Sequence, residues 1–311
     1  MTATRSIIHV CSMLALSVLP FMAIAQNKQK RHNKIDNIKG IAQVEKLLRS
    51  VDSDYVYFKI NKQLKYSDKG CQSLCNNAKP QPYIKADLDN NGYTDILMMC
   101  EDNDIICILD SGNNHFFINR LTHRIHEDCL FPLVSMPNNE NGTSIVLTGF
   151  KEYDRYDTST RTRRIIEQKK LVYKFGDFIE YNAIPESNKI EKIEFTTTPC
   201  FGSCPVFSIT IYADRTASYN AIEYNHPDGK FKGTIRQANY DELVDLLNYI
   251  RFPSLKDNYA VGWTDDQACT LTITYNNGEV KKIHDYGLVG TYGLSRIYHM
   301  LFQLRTNQKW K

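Results

Sequence analysis

The chain has 311 residues with 38 basic and 35 acidic side chains, a formal charge of +3. Setting aside Arg5, Lys28, Lys30, Arg31 and Lys34, all in the first 34 residues, leaves 33 basic against 35 acidic, so the body of the protein has no basic excess for nucleic acid. The length suits one large or two ordinary domains with a substantial core.

Arg5 is the only charge among the first 25 residues, and the apolar stretch from Ile7 to Met22 ends in Ala23-Ile24-Ala25. Small residues at Ala23 and Ala25 predict a signal peptide, residues 1–25, cleaved before Gln26. A membrane anchor is disfavoured, because the run falls short of the ~20 residues of a span and is broken by His9, Ser12, Ser17 and Pro20. Cys11 follows Ile8-His9-Val10, the wrong residues for a lipoprotein acceptor. No later segment is apolar enough to cross a bilayer, so the expected mature protein is periplasmic or secreted, with no membrane span. Residues 26–34 form a polar leader.

An amphipathic helix follows, with Ile41, Val44, Leu47, Leu48 and Val51 on one stripe. Tyr55 to Ile60 reads as a strand, and residues 62–80 as a polar, cysteine-bearing stretch. The apolar runs Ile96–Cys100 and Ile105–Leu109, separated by Glu101-Asp102-Asn103-Asp104, predict a buried hairpin. A second hairpin is expected where Lys170–Phe175 and Phe178–Tyr181 flank Gly176-Asp177. Arg161, Arg163 and Arg164 lie in a Ser/Thr/Asp-rich stretch and read as a charged loop. Pro185-Glu186-Ser187-Asn188 is the expected boundary between a module at 35–184 and a domain at 189–311.

In the second half Ile193 and Phe195 alternate with Lys192, Glu194 and Thr196, as do Phe207, Ile209 and Ile211 with Ser208 and Thr210, and Phe231 and Ile235 with Lys230, Lys232 and Thr234. Such period-2 patterns predict half-buried antiparallel strands. Asn239 with Glu242 predicts a cap before a helix carrying Leu243, Val244, Leu246, Leu247 and Ile250, stopped by Pro253. Two further strands meet at Asn276-Asn277-Gly278, and a closing helix carries Leu294, Ile297, Leu301 and Leu304. The expected fold is α+β: a β-rich N-terminal module with one amphipathic helix, then an antiparallel-sheet domain with two helices.

The sharpest motif is Asp87-Leu88-Asp89-Asn90-Asn91-Gly92-Tyr93-Thr94-Asp95. Oxygen donors recur at alternate positions: Asp87, Asp89, the Asn91 amide, the Tyr93 carbonyl and Asp95. Gly92 permits the turn that wraps them around one ion, and calcium prefers hard oxygens in a flexible loop. An EF-hand is excluded, since its twelfth position falls on Met98. With strand-like flanks, the loop resembles the calcium loops of FG-GAP and VCBS repeats, which implies a structural ion. The competing reading is an Asp/Asn/Gly turn holding no metal.

Eight cysteines follow the leader: Cys71, Cys75, Cys100, Cys107, Cys129, Cys200, Cys204 and Cys269. An even count in an exported protein favours disulfides. The shared Cys-x-x-x-Cys spacing makes local bridges, Cys71 to Cys75 and Cys200 to Cys204, the first expectation. From about Ile190 to Leu304, the chain resembles a family of secreted bacterial domains of unknown function. The likeness rests on Cys200-Phe201-Gly202-Ser203-Cys204-Pro205, the strand pattern at Val206–Tyr212, the segment Phe252-Pro253-Ser254-Leu255-Lys256-Asp257-Asn258-Tyr259 and Asp265. Asp214-Arg215 and Cys269 depart from its pattern. The resemblance implies fold and compartment, and no activity.

A structural disulfide is the leading reading of Cys200 and Cys204. Thiol-redox or copper chemistry is the alternative, with His284 as a third soft ligand, but the cysteines lead into a strand pattern and lack an activating helix. A catalytic cysteine lacks a recognisable base and orienting partner. His226-Pro227-Asp228-Gly229 reads as a turn, and Asn141-Gly142-Thr143 is a glycosylation sequon. The 19 tyrosines read as sheet packing before they read as a binding surface. No nucleophile–base set points to an enzyme. The expected function is a non-enzymatic binding protein of the envelope with a structural calcium site, its partner an unidentified protein, peptide or glycan; the alternative is a periplasmic thiol-redox or copper-handling protein using Cys200 and Cys204.

Overall fold

The computed structural model describes residues 30–101, 103–122, 129–135, 142–150 and 166–311. The expected signal peptide, the arginine loop around Arg163 and Asn141 of the sequon lie outside these residues. The fold is α+β, with a β-rich N-terminal region.

The N-terminal part stacks a helix on two four-stranded antiparallel sheets. Helix α1 (Ile41–Val51) buries Val44 and Leu48. The first sheet runs in order through β1 (Tyr83–Ala86), β2 (Asp95–Met99), β3 (Ile105–Asp110) and β4 (Phe116–Arg120). The second contains β5 (Leu130–Ser135), β6 (Ser144–Phe150), β7 (Ile166–Lys174) and β8 (Asp177–Glu180), again in order. Both faces of the first sheet are covered, which explains the unbroken apolar runs in β2 and β3. Ile96, Met98, Ile106 and Ile108 pack with Val44 and Leu48. Leu97, Met99, Ile105, Cys107 and Leu109 on the other face pack with Phe131, Ile145 and Leu147 of the second sheet.

One local expectation fails here, and one segment gains an element that was not expected. Tyr55–Ile60 is not a strand: Asp52 accepts from the Asp54 N–H and starts a 3-10 turn over Ser53–Tyr55, leaving only a bridge between Ile60 and Cys100. The polar cysteine stretch instead contains a helix, α2 (Lys69–Ala78), whose N-cap Asp68 accepts the Cys71 N–H at 2.9 Å.

The C-terminal part is one seven-stranded sheet under two helices. Its strands are β9 (Ile190–Thr197), β10 (Val206–Tyr212), β11 (Thr216–Glu223), β12 (Gly229–Thr234), β13 (Asn258–Ala260), β14 (Ala268–Tyr275) and β15 (Glu279–Tyr286). They are ordered β12-β11-β10-β9-β14-β15-β13, antiparallel except for β13 beside β15. Helices α3 (Gln237–Tyr249) and α4 (Tyr292–Asn307) cover the face bearing Ile193, Phe195, Phe207, Ile209, Leu271 and Ile273. Leu294, Ile297, Leu301 and Leu304 of α4 are all buried there, and truncating any of these leucines to alanine costs about 2–5 kcal/mol. Helix α3 starts ahead of the expected cap: Arg236 occupies that position and makes no side-chain capping bond. Asn276, Asn277 and Gly278 all take positive φ in the turn from β14 to β15.

Among the described residues, no sheet mixes strands from either side of 185–188. That segment is docked on α3: the Glu186 N–H donates to the Asn248 carbonyl at 3.1 Å, the Asn188 N–H donates to Asn248 Oδ1 at 2.8 Å, and Glu186 pairs with Arg251 at 3.1 Å. The two parts also meet at β8, whose alternating side chains divide between them. Phe178 joins the N-terminal core and Ile179 the C-terminal one. Glu180 then accepts the Tyr292 and Gly293 N–H groups at 2.8 and 2.9 Å, placing a carboxylate at the positive end of α4.

Candidate functional site

The loop Asp87–Asp95 joins β1 to β2 and is folded by its own carboxylates. Asn90 and Gly92 take φ of 61° and 96°, turning the chain back on itself. Asp87 accepts the N–H groups of Asn91 and Gly92, each at 2.9 Å. Asp89 accepts the Asn91 N–H at 3.1 Å. Asp95 accepts from Leu88 at 2.7 Å and from Asp110 at 2.9 Å through its two oxygens. The ligating atoms of Asp87, Asp89 and Asp95 thereby lie within 4.8 Å of one another.

Among the described residues, no basic side chain forms an ion pair with any of the three. Asp95 is wholly buried. Burial pushes its carboxyl up to about 8; the N–H of Asp110 opposes that rise and the charge of Asp89 adds to it. Burial raises Asp89 to about 6, with the Asn91 N–H opposing and Asp87 adding repulsion. Three crowded acids without a counter-charge fit a divalent cation, and an all-oxygen donor set fits calcium in particular.

The other expected donors are less directly presented. Asn91 turns its Nδ2 toward Asp89 Oδ2 at 2.9 Å and the Asp110 carbonyl at 2.6 Å, while its Oδ1 accepts the Tyr93 N–H at 2.8 Å. It therefore reaches an ion only by sharing Oδ1. Tyr93 contributes backbone to the loop, and its ring lies under the Arg31 guanidinium at 5.3 Å.

Three other chain segments hold the loop. Arg31 donates its N–H to the Gly92 carbonyl at 2.8 Å, and Asn33 Nδ2 reaches both the Thr94 carbonyl and Asp110 Oδ2. The end of β3 supplies Asp110. The Thr143 N–H, just before β6, donates to Asn90 Oδ1 at 2.7 Å. The sequence reading missed Asp110 and Asn33, because their only signal is a position in space set by strand pairing and by the leader's path.

The cysteines pair differently from their spacing. Cys71 bonds Cys129, 58 residues away, with Cα atoms 5.7 Å apart. The expected Cys71–Cys75 bridge is therefore corrected: α2 turns both cysteines inward one turn apart, and the strand end at Cys129 meets the first. Cys75 stays a buried thiol, its pKa raised by that burial. Cys200 and Cys204 do bond each other, also at a Cα separation of 5.7 Å, in the loop from β9 to β10. The base of that loop is closed by Thr197 Oγ1, which donates to the Pro205 carbonyl at 2.8 Å and accepts the Phe207 N–H at 3.0 Å. Cys204 leads into a strand, so no helix N-terminus lowers a thiol pKa here. His284 lies 3.2 Å from Thr270 across β14 and β15.

Another buried acid, Asp285, also escaped the sequence reading. It is wholly buried and accepts the N–H groups of Val289 and Gly290 at 2.9 and 2.8 Å, fixing the turn that leads to α4. Burial raises its pKa against those two bonds. Asp265, by contrast, is exposed with φ of 73°, and its carbonyl accepts the Phe201 N–H at 3.0 Å.

Residues 191–305 match a family described as a domain of unknown function (DUF6438), so the C-terminal half contains such a domain. No curated protein matches the chain, and no solved structure does.

Proposed function

We propose that the protein is an exported, non-enzymatic binding protein of the cell envelope whose N-terminal module is tied together by one structural calcium ion. Asp87, Asp89 and Asp95 would hold the ion, with Asn91 and the Tyr93 carbonyl as further donors. The observation that carries this reading is the convergence of three carboxylates within 4.8 Å, without a basic partner among the described residues, in a loop bonded to the leader, to β3 and to the start of β6. An ion there cancels the repulsion among the acids and fixes the point where those segments meet. The likeness to FG-GAP and VCBS loops and the strand on each side of the motif support calcium over a plain turn. Two disulfides and the N-terminal apolar stretch support export.

Thermal unfolding in chelator, calcium and magnesium tests the proposal. Calcium at 100 times its Kd stabilises the fold by about 2.7 kcal/mol, which corresponds to a rise of about 5–10 °C in Tm. Magnesium should give less, because it demands a tight octahedral shell. Asp87→Ala should remove the calcium-dependent rise and lower the metal-free Tm somewhat, because the Asn91 and Gly92 N–H groups lose their acceptor. An unchanged Tm at millimolar calcium refutes the calcium site.

A further inference from the structure

A cavity of about 600 Å³ opens where one end of the C-terminal sheet and α4 face the end of β4. Its volume falls within the ~300–1,000 Å³ range of small-molecule sites. Phe302 of α4, half-buried, gives it an aromatic side beside Leu288, with the edge of core residue Tyr298 one helical turn before it. Thr122, Gln267 and Ser295 add neutral polar groups from three separate segments. Whereas the Tyr298 hydroxyl turns inward to Asp285 and Cys269, one hydroxyl on the α4 wall, Ser295 Oγ, is buried and lacks a hydrogen-bond partner. Orphaned buried hydroxyls are uncommon and call for one.

Among the described residues that line the cavity, Arg120 and Asp266 balance each other. Arg120 is bound to Asp104, its Nε donating at 2.8 Å. Asp266 accepts the Trp263 indole N–H at 3.2 Å. Burial and the neighbouring Arg296 hold His299 below its ordinary pKa, so it is neutral at neutral pH. Among the described lining residues, phosphates and carboxylates find no cationic excess, and a lipid chain would strand too many polar groups.

Two exposed rings stand on segments that adjoin the lining residues. The Cys200–Cys204 disulfide places Cys204 on the cavity wall and leaves Phe201 90% exposed. Trp263, 44% exposed, stands on the adjoining turn, which is joined to the cysteine loop by the bond from the Phe201 N–H to the Asp265 carbonyl. Rings on a fixed backbone offer contact area at low entropic cost.

We infer that this cavity is a binding site for a neutral saccharide, whose apolar ring face stacks on Phe302 while its hydroxyls meet Gln267, Asp266 and the Ser295 hydroxyl. The inference rests on the reading of the chain as a binding protein and assigns its ligand class to the C-terminal domain.

Saturation-transfer NMR on the calcium-loaded full chain, with chitotriose, cellotriose and maltotriose as probes, tests it. At least one trisaccharide should bind saturably, and Ser295→Trp, which fills the cavity, should weaken it by about tenfold or more. If S295W does not keep the wild-type Tm, His299→Ala replaces it; that side chain is exposed, and its loss should weaken binding severalfold. Absence of transfer to all three sugars, or binding unchanged in these variants, overturns the inference. So does saturable binding of only spermidine or N-phenyl-1-naphthylamine. The calcium-dependent Tm rise, measured on the same samples, reports separately on the metal site, so either reading can fail alone.

Discussion

Calcium-free protein should lose stability as pH rises from 5 to 8.5, and the loss should trace to Asp95. Its carboxyl sits at about 8 in the folded chain against an ordinary 3.8, and Asp89 sits at about 6. A folded pKa above the unfolded one means that the acid favours folding when protonated. That contribution is intact below about pH 4 and is lost as pH climbs through about 6 and then about 8. At about 1.4 kcal/mol per tenfold change in protonation, keeping wholly buried Asp95 ionised above pH 8 costs the metal-free fold on the order of 5 kcal/mol. On the calcium proposal the sign reverses, because the ion would bind the deprotonated acids: its stabilising effect should grow with pH, and binding at pH 7 should release about one proton. Urea midpoints at pH 5 and 8.5, in chelator and in calcium, measure the effect. Asp95→Asn should pay a constant cost of about 1–3 kcal/mol for a mismatched N–H of Leu88 or Asp110, and should flatten the pH dependence. A metal-free wild-type midpoint as high at pH 8.5 as at pH 5, with D95N following the same profile, refutes the reasoning.

The two disulfides should contribute unequally. Closing the loop between Cys71 and Cys129, 58 residues apart, contributes about 4 kcal/mol by chain entropy, whereas the four-residue separation of Cys200 and Cys204 contributes about 2 kcal/mol. Cys129→Ser should therefore lower the denaturation midpoint more than Cys204→Ser does. Glu180→Gln should destabilise the protein by about 1–2 kcal/mol, since one carboxylate serves two N–H groups at the start of α4, and the loss should appear in urea unfolding. Cys75, Cys100, Cys107 and Cys269 are buried thiols, so native protein should react negligibly with a thiol reagent and denatured mature protein should titrate four.

The C-terminal domain was legible because its strands have one wet face. The alternation of Phe207, Ile209 and Ile211 with Ser208 and Thr210 maps directly onto one buried and one accessible side. The hairpins at Gly176 and Asn277-Gly278 were legible because only a few residue types tolerate positive φ there. Helix α2 was not, since Gly70, Ser73, Asn76 and Asn77 are weak helix formers and the helix owes its place to the Asp68 cap and the buried cysteines. The same helix misled the disulfide reading: spacing in sequence set Cys71 beside Cys75, but packing set it beside Cys129. In the acidic loop the repeating Asp87, Asp89 and Asp95 were visible as a local pattern. Asp110 arrives from a neighbouring strand and Asn33 from the leader, so neither could be found without the fold.

The most direct test of the calcium account is a crystal structure of the mature protein grown in calcium, with anomalous data collected to identify the ion. The account predicts a calcium peak ~2.3–2.6 Å from oxygens of Asp87, Asp89 and Asp95, with the Tyr93 carbonyl in the same shell. A loop that keeps its three carboxylates on backbone N–H groups and shows no anomalous peak at saturating calcium would contradict it.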